Sequence, residues 1–399
     1  MSVKPIYGVG LDAGSRATRL VVCLLDQGRL RLLGCAAAAS EGWSKGRIID
    51  QRAVSESMIV ALSEAEAAAG VSVESAVVGM GGLTLRGANG RGVLELGRVR
   101  EIEQRDVNRV VNRAARVQLQ EDQMLLQLFP QDFVVEDHPG HRDPRRMLAS
   151  RLEIHIHLVT CSVQEHNSLV GAVNQAHMEV EESIFEGLAG CYAAVFPEER
   201  REGIAVVDIG AESTELAVYY GDSLQLASTI RVCGDHFTRD LAQGLCLSFE
   251  DAEIVKLEYG SASAESCAEN VFVEVPTPEN REYRHVQRKL VNQILEARAA
   301  ELFQHVRAEL ARVSMERALL GGVFLTGGGA KLPDLCDIAE RVLQCQTRFG
   351  LAVGIQDWPE ELRDPEWTAA AGLAMYSAKL KVKAAEEKDA AGWLGKVLR

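Results

Sequence analysis

The 399-residue sequence has no uninterrupted apolar run of the ~18–20 residues that a membrane-spanning helix needs. It also has no signal-peptide pattern, because Lys4-Pro5 leads directly into a predicted strand. Basic charge is in the minority, with 43 Lys and Arg against 57 Asp and Glu and a formal net charge of −14. We therefore expect a cytosolic protein, or one that contacts a membrane from one side only. Nucleic acid is not expected as the main partner, since phosphate backbones call for a basic surface.

The cysteines and histidines do not form a metal-binding pattern. None of the nine cysteines belongs to a C-x-x-C pair, the count is odd, and several lie in apolar runs. This is typical of buried thiols in a reducing compartment rather than of disulfides or a zinc site. His155 and His157 lie two residues apart on one predicted strand, and we interpret them as exposed or hydrogen-bonded strand residues rather than as metal ligands.

Three short turns that follow buried apolar runs are the strongest positive signal. They are residues 12–16, 208–214 and 326–329, with the sequences DAGSR, DIGAEST and TGGG. Backbone N–H groups at such turns bind phosphates, and a small residue is needed where the backbone approaches closely. Asp12 and Asp208 stand where a strand meets its turn and can hold a hydrated Mg²⁺ through its waters. The pattern predicts two related halves that close on a nucleotide, with the third turn under the adenine.

Apolar periodicity predicts the elements around these turns. The first half is expected to contain strands at residues 7–11, 18–25, 30–37 and 75–80 and a helix at 51–69. The second half repeats this scheme with strands at 204–208, 214–219 and 225–232 and a helix from Gly234. Further helices are predicted at 104–118, 163–177, 188–195, 286–313, 332–343 and 366–378.

Four further segments carry a resemblance to a known family. With the three turns, they are similar over nearly the whole chain to the actin-like ATPase superfamily and, within it, to the FtsA family of bacterial cell-division proteins. The segments are GWSKGRIID at 42–50, GMGG at 79–82, FPQDF at 129–133 and DAEIVK at 251–256. The corresponding family patterns are G-x-x-K-G-x-I-x-D, the end of the first-half sheet, I-P-Q-E-F and D-A-E-x-x-K.

The resemblance implies an α/β, actin-like two-lobed fold, as in actin, Hsp70 and the sugar kinases, with a relocated 1C subdomain. The implied division is 1–82 and 162–197 as subdomain 1A, 83–161 as inserted subdomain 1C, 198–232 and 302–378 as 2A, 233–301 as 2B, and 379–399 as a linker and an amphipathic membrane-targeting helix.

The resemblance also implies a site for ATP and Mg²⁺. Its nucleotide-binding residues would come from all three turns and from subdomain 2B: Asp12, Gly14, Ser15, Arg16, Asp208, Gly210, Ala211, Ser213, Glu253, Lys256, Gly327, Gly328, Gly329 and Lys331. Asp12 and Asp208 would hold the metal through water. Glu186 falls where actin-like proteins often have E-P-x-A and would orient the attacking water. Here Gly187 replaces the usual proline.

The second turn departs from the family pattern D-I-G-G-G-T-T-D. Residues 208–215 have the sequence DIGAESTE, with Ala211 and Glu212 at two glycine positions. A carboxylate near phosphates adds repulsion of roughly 1–4 kcal/mol at ~4 Å, depending on the effective dielectric. We expect Glu212 to turn to solvent, meet a cation or weaken γ-phosphate binding. Nucleotide binding should persist, and the protein should be at most a slow ATPase.

The last ten residues, AAGWLGKVLR, form the pattern of an interfacial helix. Residues 379–399 contain six Lys or Arg and three Asp or Glu, a charge of +3 that suits an anionic membrane at about 1 kcal/mol per nearby cation. A packed helix cap or a disordered end is the alternative. Four apolar residues share one helical face and two cations lie off it: Trp393, Leu394, Val397 and Leu398, with Lys396 and Arg399.

The resemblance further implies several partners. The 2B surface would receive the acidic C-terminal peptide of the tubulin-like division protein FtsZ, with Arg298 as the first candidate and Arg288 as the second. Ordinary surface charge is the alternative for both arginines. Other division proteins would bind through 1C, copies of the chain would form a filament, and anionic lipid would hold it at the cytoplasmic membrane face of the division septum.

Two alternatives stay open within this fold. One is an ATP-binding pilus-assembly protein of the PilM type, which the terminal amphipathic pattern and residues 42–50 disfavour. The other is a sugar kinase, which needs a catalytic base facing a sugar pocket; the sequence offers no obvious candidate for that base.

Overall fold

The chain opens with an antiparallel meander, a small hairpin, a helix and a parallel strand. The computed structural model describes residues 5–221, 223–277 and 282–397, with side chains as far as residue 386. The first elements are β1 (Ile6–Ala13), β2 (Ala17–Asp26), β3 (Arg29–Ala39), β4 (Trp43–Ser44), β5 (Arg47–Ile48), α1 (Gln51–Ala69) and β6 (Ser75–Met80). These confirm the predicted strands and the helix at 51–69.

Helix α1 shows how local signals set these bounds. The Asp50 side chain accepts the N–H groups of Arg52 and Ala53 at the helix start, and Gly70 ends the helix with a φ of 67°. Between the caps, Val54, Met58 and other buried residues pack against the meander. The caps and the apolar stripe therefore specify the same 19 residues.

The next segment is a separate sheet with its own core. It comprises β7 (Arg86–Glu101), α2 (Gln104–Ala114), β8 (Gln123–Val135), β9 (His138–His141) and β10 (Leu148–Ser162), with strand order β7-β10-β8-β9. Arg86 pairs with Thr160, so the segment leaves and re-enters the first lobe at neighbouring positions. Helix α2 ends four residues before the predicted residue 118, because the polar residues that follow are mostly exposed and have no core to pack on.

The first lobe is then completed, and the second lobe follows. The remaining elements are α3 (Val163–Gln175), β11 (Glu179–Phe185), α4 (Glu186–Ala194), α5 (Pro197–Arg201), β12 (Ile204–Ile209), β13 (Thr214–Tyr220), β14 (Ser223–Ile230), α6 (Gly234–Gly244), α7 (Phe249–Tyr259), β15 (Phe272–Pro276), β16 (Tyr283–Gln287), α8 (Arg288–Arg312), β17 (Gly322–Thr326), α9 (Leu335–Leu343), β18 (Thr347–Phe349), β19 (Ile355–Gln356) and α10 (Thr368–Val397).

Both lobes are built around the same three-strand arrangement. The first sheet has the order β11-β6-β1-β2-β3-β19 and the second has the order β14-β13-β12-β17-β18. In each, the leading strand has an antiparallel neighbour on one side and a parallel neighbour on the other: β2 and β6 flank β1, and β13 and β17 flank β12. The predicted internal repeat is therefore present, and the turns that follow β1 and β12 lie at equivalent edges of the two sheets.

Several helix boundaries differ from the predictions, and one helix was not predicted. The helix expected from residue 286 begins at Arg288, because residues 283–287 pair with β15 as strand β16. The polar stretch after residue 250 contains an unpredicted helix, α7, which the Ser248 hydroxyl caps. A helix expected from residue 332 starts at Leu335, after a short 3-10 turn.

The C-terminal helix is longer than predicted. Helix α10 runs without a break from Thr368 to Val397, and residues 379–389, predicted as a linker, continue it. These residues are mostly Ala, Lys and Glu, which are strong helix formers. The side chains of Trp393, Leu394, Lys396 and Val397, and residues 398 and 399 entirely, lie outside the described part. Within the described residues, no helix is long and apolar enough to cross a membrane.

Candidate nucleotide-binding site

One cavity of about 500 Å³ lies between the two lobes, a size typical of small-molecule sites. All three predicted turns line it, together with Glu186 from the start of α4 and with Glu253 and Lys256 from α7. Every residue that the sequence assigns to nucleotide binding is therefore brought to one place. Their contact with a nucleotide stays a prediction.

The first two turns have matching backbone shapes. A β-carbon on Gly14 would lie 2.8 Å from the carbonyl oxygen of Ala17, and one on Gly210 would lie 2.9 Å from that of Ser213. Glycine is required at both points, because real β-carbon contacts are not that short. The two turns therefore form tight, N–H-rich loops that face each other across the cavity, as a phosphate chain would need.

The third turn forms an open platform at the end of β17. Gly327 has a φ of 81°, and a β-carbon there would lie 2.4 Å from Oδ1 of Asp208. At Gly328 a β-carbon would meet only Oε2 of Glu366, 4.0 Å away. Lys331 in the same turn is paired with Asp364 at 2.7 Å. The bare backbone at Gly328 leaves room for a flat ring.

On the 2B side, a polar network lines the cavity wall. The Nζ atom of Lys256 lies 2.7 Å from Oε2 of Glu253 and donates to Oγ1 of Thr238 at 2.8 Å. Burial raises the pKa of Glu253, but hydrogen bonds from Lys256 and Thr238 outweigh it, so the net pKa is lowered. Glu253 is thus held as a carboxylate acceptor, which suits recognition of hydroxyl or amino groups.

Four buried carboxyl groups meet at the floor of the cavity. Burial and neighbouring carboxylates raise the pKa of Asp12 to about 6 and that of Asp208 to about 8, and they raise the pKa of Glu186 well above its ordinary value. Burial also raises the pKa of Glu215, whose Oε1 accepts the Gly82 N–H at 2.9 Å. Four carboxyl groups this close cannot all ionise without a further positive charge, so the floor is suited to a cation.

The cluster fits a hydrated metal better than a directly bound one. Within the described residues, no group of three or more His, Cys, Asp or Glu side chains has the geometry to hold a metal ion itself. Oδ2 of Asp208 is buried and has no hydrogen-bond partner among the residues that the structure describes. A metal-bound water would satisfy it, since Mg²⁺ keeps several waters.

Glu215 is a site residue that the sequence analysis missed. It ends the 208–215 segment, and an acidic residue closes the family pattern at the same position. A β-carbon on Gly81 would lie 2.8 Å from Oε1 of Glu215 and 2.3 Å from Oε2 of Glu186. The glycine-rich segment at 79–82 therefore makes room for two carboxyl groups, which is a function that the motif alone did not reveal.

Glu212 has a partner that the sequence analysis did not foresee, and its effect on γ-phosphate binding stays a prediction. Its Oε2 accepts the backbone N–H of Gly46, in the β4–β5 hairpin of the opposite lobe, at 2.7 Å. Arg16 crosses the cleft in the other direction, with Nη2 3.0 Å from Oδ1 of Asp235. Each phosphate turn thus contacts the opposite lobe through one charged side chain.

The two arginines predicted to bind the FtsZ peptide are engaged within the chain. Nε and Nη2 of Arg298 donate to Asp240 at 2.6 and 2.8 Å, and its side chain is only 21% exposed. Nε of Arg288 donates to the carbonyl oxygen of Tyr259 at 2.8 Å. To bind a peptide, Arg298 would have to give up its ion pair with Asp240, so the predicted contact requires this side chain to rearrange.

The two strand histidines have internal partners, as predicted. Nδ1 of His155 lies 2.9 Å from Asp132. His157 is buried, with Nδ1 2.7 Å from Asn89 and Nε2 accepting the Ala227 N–H at 2.9 Å. The interpretation of both as hydrogen-bonded strand residues is confirmed.

Comparison with known families and proteins gives consistent matches. Residues 205–372 match the family model described as Cell division protein FtsA, and residues 82–160 match that of the SHS2 domain inserted in FTSA. The Cell division protein FtsA of Pseudomonas aeruginosa is 31% identical over 92% of this chain and 88% of the relative. That of Borreliella burgdorferi is 32% identical over 92% and 90%.

Solved structures of low sequence identity share the fold. The PilM-PilN type IV pilus biogenesis complex matches with a TM-score of 0.69 at 19% identity, over 93% of this chain and 98% of that chain. MreB5 of Spiroplasma citri bound to ADP matches with a TM-score of 0.56 at 13% identity, over 94% and 97%. The predicted actin-like fold is thereby confirmed.

Proposed function

The chain belongs to the FtsA family of cell-division proteins, and on that premise we propose that it binds ATP or ADP with Mg²⁺ between its lobes and uses the nucleotide to control assembly at the membrane. One observation carries this proposal. Two matching glycine turns, a third open turn and a buried carboxyl cluster converge on a single cavity of about 500 Å³.

Each part of the cavity has a distinct role in the proposed binding. The N–H groups of the turns at residues 12–16 and 208–214 hold the phosphates, and Arg16 adds a cation beside them. Glu253 and Lys256 bind the adenosine, which lies over the platform at Gly328. Asp12 and Asp208 hold the waters of Mg²⁺, whose charge neutralises the phosphates when it is bound.

Turnover is expected to be slow at best. Glu186 occupies the N-terminal position of α4 and reaches the carboxyl cluster. Burial and the charges of Glu215, Asp12 and Asp208 raise its pKa well above the ordinary value. A protonated carboxyl cannot accept a proton from water, so Glu186 would orient an attacking water only in its ionised form.

The membrane and partner contacts extend the proposal. The backbone of α10 is helical to Val397, as an interfacial helix requires. One such helix binds weakly, whereas a row of them on a polymer binds tightly through effective concentration. We propose attachment to anionic lipid on the cytoplasmic membrane face at the septum, self-assembly, recruitment of division proteins through the inserted domain, and tethering of FtsZ through 2B.

Nucleotide binding is tested by calorimetric titration of the full chain with ADP and ATP, with and without Mg²⁺. Lys256→Met should weaken binding of both nucleotides by about tenfold or more, since a buried charged hydrogen-bonding group contributes ~1.5–3 kcal/mol. Lys289→Met is the matched control, because it removes a lysine from the outer face of α8 that pairs with Glu269. The absence of any binding by the unaltered chain would refute the proposal.

Membrane attachment is tested by sedimentation with vesicles that contain anionic lipid. Deletion of residues 393–399 should release the protein into the supernatant, whereas Lys388→Gln, which keeps the apolar face, should remain mostly bound. Equal sedimentation of the truncated and complete chains would contradict the anchor.

Family membership favours division over pilus assembly, since the likeness to the pilus complex shows the fold alone.

A further inference from the structure

We propose that Glu212 is a built-in anion that closes the cleft in place of a nucleotide's terminal phosphate, and that it makes this site select a nucleoside diphosphate over a triphosphate. The inference rests on the proposed nucleotide site and names the residue that sets its specificity.

The first support is the contact itself. Glu212 lies in the turn between β12 and β13 on the second lobe, and Gly46 lies in the β4–β5 hairpin on the first. Their 2.7 Å hydrogen bond joins positions 166 residues apart, and both residues line the cavity. A carboxylate held by a backbone N–H at the mouth of a phosphate turn has the chemistry of a bound phosphate oxygen.

The second support is the rigidity of the donor. Lys45 and Gly46 have φ angles of 54° and 71°, and they form the two-residue turn of the β4–β5 hairpin. Two positive φ angles are typical of a type I′ turn, which fixes the directions of its N–H groups. Arg47 on the next strand pairs with Glu165 of α3 at 3.0 Å, so the hairpin is also tied to the first lobe. The Gly46 N–H is therefore a fixed donor, directed across the cleft.

The third support is the charge around Arg16, the cation of the first turn. Arg16 already pairs with Asp235 at 3.0 Å. Burial lowers its pKa, but the hydrogen bond to Asp235 and the charges of Asp235, Glu253 and Glu212 outweigh this and raise it. The cation is thus shared among carboxylates of the second lobe. A third phosphate group would meet an anion already in place, whereas a diphosphate leaves room for Glu212.

Glu212 therefore makes a contact between the lobes that a nucleotide ligand would otherwise have to make. A terminal phosphate placed between the two turns would bridge the lobes by accepting N–H groups from both. Here the side chain at position 212 makes that bridge from within the protein. The closed arrangement is then available with a diphosphate bound, and a triphosphate has to displace the Glu212–Gly46 contact to reach the same donors.

The experiment compares ADP and ATP affinities by calorimetry for the unaltered chain, Glu212→Gly, Glu212→Gln and the control Glu316→Gln. Glu316 is an exposed residue in the loop before β17, at the sheet end remote from the cavity. We expect Glu212→Gly to strengthen ATP binding at least tenfold relative to ADP. Glu212→Gln keeps an acceptor oxygen without the charge and should fall between, and Glu316→Gln should match the unaltered chain.

A second measurement needs no nucleotide. Hydrogen exchange of the Gly46 amide should be slow in the unaltered chain and at least tenfold faster in Glu212→Gly, with neighbouring β1 amides unchanged. If Glu212→Gly still binds ADP but its ATP-to-ADP affinity ratio is unaltered, this inference is overturned while the proposed function stands. Failure of every variant and of the unaltered chain to bind either nucleotide would overturn the proposed function and the selectivity with it.

Discussion

The two phosphate turns share a backbone and differ in the charge that each carries across the cleft. A β-carbon added to Gly14 or to Gly210 would lie almost equally close to the carbonyl oxygen three residues later, at 2.8 and 2.9 Å. The first turn sends the cation Arg16 to Asp235 on the second lobe, and the second sends the anion Glu212 to Gly46 on the first. The two turns thus share a backbone shape that suits phosphate, and in the proposed site one charged side chain from each turn would set which phosphate groups bind.

The largest expected effect comes from changes that break the shared backbone. Gly14→Ala and Gly210→Ala each place a β-carbon within 3 Å of a carbonyl oxygen, so the turn has to open. Each should lower ADP affinity by about 100-fold, with a cost to folding of about 1–3 kcal/mol from overpacking. Calorimetry and thermal denaturation measure the two effects. Equivalent turns should give losses of similar size, and a loss at only one of them would show that the turns are not functionally matched.

A smaller effect should follow from removal of the cation of the first turn. Arg16→Gln removes the ion pair across the cleft, although Asp235 keeps Arg239 at 3.5 Å, and it removes a charged donor from the proposed phosphate site. Affinity for ADP and ATP should both fall about tenfold, the opposite direction to Glu212→Gly. Arg52→Gln is the control, since Arg52 is 88% exposed and pairs with Glu56 on the same helix face. Tighter ATP binding by Arg16→Gln would contradict the opposite roles given to the two charged residues.

The smallest effect distinguishes the aspartates of the two turns by pH. Their pKa values of about 6 for Asp12 and about 8 for Asp208 lie above the ordinary 3.8, because both are buried beside other acids. The folded protein therefore binds protons that the unfolded chain releases, and the contribution of these groups to stability falls as the pH rises from about 4 through 8.

Denaturant titrations of the nucleotide-free protein across that range would measure the decline. Asp208→Asn should reduce the decline up to about pH 8, Asp12→Asn should reduce mainly the part below about pH 6, and Glu186, whose pKa is also raised, should account for decline that remains. Mg²⁺-nucleotide affinity should rise over the same interval, because the cation binds the ionised carboxylates. A flat stability profile would show that the cluster is solvated rather than buried.

Elements could be predicted from the sequence where the residues that determine them are close together in the chain. Helix α1 lies where it was predicted, at about residues 51–69, because Gly70 and the apolar stripe before it act within one element. The three turns were predicted since glycine and aspartate after an apolar strand act locally too. The start of α8 was missed because residues 283–287 pair with β15, and that partner is a separate element of the chain.

The contacts between lobes were out of reach for the same reason. Nothing near Glu212 in sequence points to Gly46, and nothing near Glu215 points to Gly82; both contacts depend on how the halves face each other. The pairing of Arg298 with Asp240 is likewise a tertiary contact, which makes a helix-surface arginine less available than its position in the sequence indicates.

The inserted domain belongs to one lobe by its chain and to the other by its contacts. It enters and leaves the first lobe through the paired residues Arg86 and Thr160. It also covers β14, the edge strand of the second sheet, where His157 accepts the Ala227 N–H and Gln131 donates to the carbonyl oxygen of Leu224. Any rotation between the lobes must therefore strain or break the contacts between the inserted domain and β14. A division protein that grips the inserted domain would then change the mechanical cost of opening the cleft without touching the nucleotide.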